Sequence, residues 1–458
     1  MLNQKPINYS LLICSLFLYG LLGYYIQRHE TVLLLPSYFS VFAIYLYITL
    51  KSPDENTKFW FYASILFRIT LLFSVPALSD DFYRFIWDGR LLASGYHPFA
   101  EVPSYYIQKG ADIPGINIDL FQKLNSSYYF TIYPPVAQFI FWLGVKISPN
   151  SVYGSVLVMK STVFLAEIGS LILIKKLLIR FKLPAKRILI YALNPLVILE
   201  LTGNIHLEAI MIFFLLLCIF LLFQKYFLVS AMAFSGAVCV KLIPLIFLPA
   251  LLPRLGWKKS FVFYTIVGCT CLVLFLPLFD REIISGFQNS IGYYFKKFEF
   301  NASLYYIVRA WGISYYGYNI IQTAGWILGL VGGIFIVAIS LFGTTLKVKE
   351  SWLHFKPSTI NQQRPSSNDP PLILLWILLL YFLFTTTLHP WYITTLLMLS
   401  IFTSYRFVVL WTALIFLTYA GYTQTGFHEN LWITLFEYLL VLSYLVYELL
   451  WRRKESLS

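Results

Sequence analysis

Charge is scarce in this chain. Of 458 residues only 12% are charged, while 59% are hydrophobic; ordinary soluble domains are roughly a quarter charged. Burial in a water-soluble core does not account for that balance. Cysteine is scarce too. Cys14, Cys218, Cys239, Cys269 and Cys271 all fall in apolar runs, without the spaced Cys/His partners of a zinc site. They read as small apolar packing residues, and neither a metal nor another cofactor is expected. Short alternating apolar segments, the mark of a membrane barrel, are missing, as is any internal repeat. The net charge of +13 sits mostly in short loops between apolar segments, where orientation in a membrane explains it. No nucleic-acid partner is expected.

Apolar runs recur along the whole length, many near the about 20 residues that cross a hydrocarbon layer. The expected fold is all-α: a polytopic transmembrane helical bundle of roughly 12–14 crossings, forming one membrane domain over 1–458. The first run, Tyr9–Ile26, lacks a small-residue cleavage pattern after it and reads as a retained helix. Two more follow near 31–50 and 59–78. Lys5, Lys51 and Lys58 then share a side, which the positive-inside rule makes cytoplasmic. The long polar interval 79–151 therefore begins as an extracytoplasmic loop. Within it, 132–147 reads as a short helix in or along the outer interface; a full crossing would leave Lys175, Lys176, Arg180, Lys182, Lys186 and Arg187 outside. Val152–Ile174 is the next crossing. Segments near 188–201, 226–240 and 242–253 are short and carry Pro195 and Pro244, as broken helices around a cavity do. The stretch 347–371, rich in Ser, Asn, Gln and Pro, reads as a cytoplasmic linker.

The unusual polar groups gather on the outer side of this topology. In "SDDFYRFIWDGRLLASGYHPF", Ser79–Phe99, Asp80 and Asp81 follow an apolar helix directly, and a carboxylate at the membrane boundary is costly unless solvated or used. So placed, it serves as a general base toward a hydroxyl; the competing reading is a helix stop and N-cap. Phe82, Phe85, Ile86 and Leu92 recur at helical spacing beside Arg84, Asp88 and Arg90, which describes an amphipathic interfacial helix, with Arg84 placed to hold a lipid phosphate. "TIYPPVAQF", Thr131–Phe139, carries Tyr133 before a rigid Pro134-Pro135 corner. "NPLVILELTGNIHLEA", Asn194–Ala209, puts Glu200, Asn204, His206 and Glu208 around an outer turn, and "VKLIP" sets Lys241 in apolar surroundings where an ammonium needs an anion. Phe295–Tyr306 adds a basic and aromatic segment. "TTTLHPWYI", Thr385–Ile393, ends a helix with His389, Trp391 and Tyr392; imidazole and indole N–H groups bind phosphate or hydroxyl oxygens, and aromatic faces stack on a sugar ring.

These motifs, in this order and at this spacing, resemble those of bacterial polyprenol-phosphate mannosyltransferases of the GT-C superfamily, over most of the chain from Asp80 to Tyr392. The resemblance implies a catalytic Asp in the first large outer loop, here Asp80 or Asp81, and a His near the C-terminal outer loop that touches the donor phosphate, here His389. It implies a hexose, mannose by the family's habit, moved from a polyprenyl-phosphate donor to a lipid or glycan acceptor at the outer face of the cytoplasmic membrane. The chain departs from the simplest pattern twice: three helices precede the acidic motif, and Phe82 follows Asp81 where a spaced Asp-x-Asp would continue. Independently of the resemblance, Arg84, Lys241, His206 and His389 are candidates for the donor phosphate and Tyr133, Trp391 and Tyr392 for substrate contact. The rivals are a lipid-linked glycan polymerase or ligase, which would carry a basic site in a large late loop, and a transporter or flippase. A transporter would favour repeats and mid-helix ionisable residues, neither of which is evident.

Overall fold

The structure, a computed structural model, describes residues 4–279, 286, 298–343 and 370–455. The protein is an all-α, multi-pass membrane protein; the named strands among the described residues are one hairpin, Tyr422–Thr423 against Gly426–Phe427. Among those residues, six helices are long and apolar enough to cross a membrane, or seven if the bent pair Pro195–Gly203 and Glu208–Phe223 is one span. The roughly 12–14 crossings expected from the sequence included shorter segments. Five apolar helices run only 10–17 residues, Pro135–Ile147, Phe227–Val240, Ile243–Leu255, Pro371–Phe384 and Phe407–Gly421. The proposed linker lies, but for its last two residues, outside the described residues, as do 295–297 of the basic segment.

The described chain divides into two compact units: 1–173 with 192–244 and 263–294, and 174–191 with 245–262 and 295–458. In the first unit α1 (Gln4–Tyr24) packs against both α2 (Thr31–Lys51) and α3 (Thr57–Leu72). The last turn of α3 is satisfied by a side chain from α8 (Val152–Arg180): the fully buried Lys160 donates to Leu71 O at 2.6 Å, Ser74 O at 2.7 Å and Ser74 Oγ at 3.0 Å. A cation there meets orphan carbonyls and the negative end of the helix dipole.

After α3 a turn leads into α4 (Asp81–Ala93), and the loop beyond carries two short helices, α5 (Pro103–Gln108) and α6 (Ile118–Gln122), before α7 (Pro135–Ile147). Pro135 sits in the first turn of α7, where a missing N–H costs nothing. α4 and α7 touch closely: Phe85 stacks on Phe141 at 4.4 Å and 7°, and a Cβ on Gly89 would stand 2.5 Å from the carbonyl oxygen of Phe141. Only glycine permits that approach. Gly89→Ala is therefore expected to part the two helices and cost about 1–3 kcal/mol, read as a lowered unfolding temperature of the detergent-solubilised protein; an unchanged transition would mean that the contact is not tight.

Candidate active site

Asp80 occupies the N-cap position of α4, yet its side chain makes no capping hydrogen bond. It pairs with Arg28, from the turn between α1 and α2. Asp81 accepts from Asn125 Nδ2 at 2.7 Å, and its own N–H donates to Ser79 Oγ at 3.3 Å. Both carboxylates are partly exposed, whereas Phe82 and everything from Arg84 to Leu91 is buried. The capping reading of Asp80 is thus not exercised. Burial and the charge of Asp80 push the Tyr83 phenol above its ordinary value.

Beyond Asp81 the charged positions of α4, Arg84, Asp88 and Arg90, are buried like their apolar neighbours, and the loop folds back over the helix. Arg84 Nε donates to Asp88 Oδ1 at 2.8 Å, and its Nη1 reaches Tyr129 O at 2.8 Å and Ser126 O at 3.1 Å. Asp88 Oδ2 in turn accepts from Thr131 Oγ1 at 2.5 Å and Gln138 Nε2 at 3.1 Å. Arg84 therefore holds the loop that carries Asn125 rather than facing out for a phosphate. Tyr133 packs edge-on against Phe85 and Phe141, at 5.1 and 5.2 Å.

The second polar group of this unit grows out of a broken helix. Asn194 caps its start, accepting from Leu196 N at 3.0 Å, with Pro195 in the first turn. Residues 198–203 widen into a π-helical turn, and α11 (Glu208–Phe223) leaves at 110°. Ile205 stands at φ 60° in the connecting turn, a conformation that a β-branched residue adopts only when its surroundings impose it. Asn204 imposes it: Nδ2 donates to Leu199 O at 3.0 Å, and Oδ1 accepts from Leu78 N at 3.1 Å, next to Ser79. The acid-bearing turn and the His206 turn are thereby tied. His206 Nε2 lies 3.3 Å from Glu200 Oε2, both buried. Lys241, just after α12 (Phe227–Val240), pairs with Glu208 at the start of α11. The anion that the lysine needs is supplied from within.

In the other unit His389 is sandwiched between Trp391 (4.4 Å, 4°) and Phe300 (4.5 Å, 32°), with Tyr392 edge-on at 5.5 Å. Phe300 is held by backbone bonds, its N–H to Thr386 O at 3.1 Å and its carbonyl to Leu388 N at 2.8 Å. The next residue, Asn301, is buried at φ 44°. Its N–H donates to Glu429 Oε1 at 2.7 Å, its Nδ2 to both Glu437 oxygens at 3.2 Å, and its carbonyl accepts from Tyr438 at 2.8 Å. Tyr306 also bonds Glu429. Burial raises the Glu429 carboxyl above its usual range, against the hydrogen bonds that lower it. Asp80, Asp81, Arg84, Tyr133, His206 and Lys241 thus belong to the first unit and His389, Trp391 and Tyr392 to the second.

Reading the sequence missed several groups. Arg28 carries no local signal, being one cation in a short turn. Arg68, Lys160 and Glu167 did carry one, as ions inside apolar helices, and the expectation that mid-helix ions are not evident is corrected. Arg68 Nε donates to Glu167 Oε2 at 3.0 Å, both fully buried, Thr202 Oγ1 adds a 2.5 Å bond to the same oxygen, and Arg68 Nη1 reaches Ala192 O at 2.7 Å. Among the described residues no group of three or more His, Cys, Asp or Glu is arranged to hold a metal ion.

Fold and site together define a multi-pass helical membrane protein with partly exposed acids at the head of a buried helix. Residues 25–255, just over half of the chain, match the family model of the alpha-(1->6)-mannopyranosyltransferase N-terminal domain, and the chain belongs to that family. It is accordingly a glycosyltransferase with mannosyltransferase activity. The matched span contains Asp80, Asp81, His206 and Lys241 and ends before His389. A search among curated proteins finds no match to the chain.

Removing one partner of a buried ion pair strands the other charge, at about 3–5 kcal/mol. Asp88→Ala should therefore lower the unfolding temperature sharply, and the double replacement Arg84→Met with Asp88→Leu should recover much of the loss; equal losses would deny the pair its structural role. For Glu429 the folded-state pKa is raised, so its contribution to stability is best below the unfolded carboxylate range and is lost as pH rises through the folded value. Glu429→Gln is expected to flatten the fall in unfolding temperature between pH 4 and pH 8, and an unaltered pH profile would refute this.

Proposed function

We propose that the protein transfers mannose from a polyprenyl-phosphate donor to a lipid or glycan acceptor hydroxyl at the outer face of the cytoplasmic membrane, by a single inverting displacement. The observation that carries this reading is the pair Asp80 and Asp81: two partly exposed carboxylates at the head of an otherwise buried helix, held by Arg28 and Asn125 and not used as caps. Lys5, Lys51 and Lys58, with Arg254, Lys258 and Lys259 and the C-terminal Arg452, Arg453 and Lys454, support the orientation, since cytoplasmic loops collect Lys and Arg.

One carboxylate takes the proton of the acceptor hydroxyl as its oxygen attacks the anomeric carbon; the bond from that carbon to the phosphate oxygen breaks, and polyprenyl phosphate leaves with the electron pair. No acid is needed for a phosphate leaving group. An alpha linkage formed with inversion requires a β-linked mannosyl phosphate, and the 1->6 linkage in the family's description supports a hexose 6-hydroxyl as the acceptor. Within the first unit His206 is the donor-phosphate contact and Tyr133 presents aromatic surface to the sugar, while His389, Trp391 and Tyr392 form an imidazole and aromatic cluster in the second unit. Arg84 serves as scaffold for the loop.

Purified protein incubated with a panel of polyprenyl-phosphate sugars, with products read by mass spectrometry, tests donor and linkage together. Asp80→Asn and Asp81→Asn, made singly, are expected to separate: the variant lacking the base should lose about 10²–10⁴-fold in turnover. If both retained full transfer, neither carboxylate would be the base.

A further inference from the structure

Four cations of the first unit differ in what they are already committed to. Arg84 is buried against Asp88 and two carbonyls, and Lys160 is fully buried on the end of α3. Lys241 is neutralised by a carboxylate that is itself buried. Arg28 differs: it stands directly on Asp80, its side chain 30% exposed beside a carboxylate 35% exposed. A phosphodiester anion brought near two carboxylates is repelled unless a cation faces it at that spot. A guanidinium has five donors in a rigid fork, enough to serve a carboxylate and a phosphate oxygen together.

We propose that Arg28 binds the donor phosphate, with Asp80 as the carboxylate that orients the guanidinium and Asp81 as the base. The Asp80 carboxylate is already engaged by the guanidinium. Asp81 accepts from the neutral amide of Asn125 and keeps part of its carboxylate exposed for an acceptor hydroxyl. When the bond to the anomeric carbon breaks, the phosphate gains a second negative charge, and Arg28 meets that charge as it develops. Arg28 therefore acts on turnover as well as on donor affinity. This inference rests on the polyprenyl-phosphate reading above.

The test is direct binding of polyprenyl phosphate to the full-length protein in detergent, compared among wild type, Arg28→Lys and Arg28→Ala, together with donor and acceptor KM. The expected result is wild-type binding, weakened about tenfold or more in Arg28→Ala and partly restored in Arg28→Lys. Donor KM should rise and kcat fall while acceptor KM stays unchanged. Undiminished binding by Arg28→Ala would overturn the assignment and leave the donor reading intact, as would equal rises in donor and acceptor KM. Absence of wild-type binding would overturn the donor reading itself, and this inference with it. Should Arg28→Ala fail to fold, Arg28→Gln answers the same question, since it keeps the stem and removes the charge.

Discussion

The buried pair of Arg84 and Asp88 carries the surroundings of the acid pair. Its guanidinium reaches the carbonyls of Ser126 and Tyr129, and its carboxylate takes Thr131 and Gln138. The loop between α6 and α7 is thereby fastened to α4 at both ends. Asn125 lies on that loop, and through it the position of Asp81 is set. A charged pair so covered costs desolvation that only complete hydrogen bonding offsets, and here each charge has several partners. What it yields is a cover over the middle of α4 that leaves the acids at its head partly exposed.

A second set of buried ions braces α3 and α8. Lys160 closes the end of α3, and Arg68 and Glu167 join α3 to α8 and to the π-helical turn through Thr202. Ions inside apolar helices are kept only where they are paired or used. Their partners Ser74 and Thr202 lie close along the chain to the turns that carry Asp80 and His206, and Ile205 keeps its strained conformation between Asn204 and His206, each held by its own contacts. The strain is stored next to His206, one of the candidate residues.

The second unit solves a similar problem with rings and carboxylates. His389 has a ring on each face, and the residue after one of those rings, Asn301, is bonded through its N–H, its carbonyl and its amide nitrogen. An imidazole so held presents its edge, not its face, to a ligand. In both units the candidate side chains stand on elements held by buried hydrogen-bonded groups.

The sequence by itself determined the class. Long apolar runs with little charge leave the helix as the element that satisfies its own backbone, and the motifs around Asp80, His206, Lys241 and His389 mark the polar turns. The short helix Pro135–Ile147 and the break within 195–223 were also legible, because prolines and segment length are local properties. Tertiary structure alone decided which charge meets which. Arg84 went to its own helix and Arg28 to Asp80, partners 52 residues apart, while Arg68 met Glu167 across 99. Hydrophobic periodicity reports the surroundings of a residue within a few turns, whereas an ion pair is settled by where the chain returns, and nothing in a local pattern encodes that return.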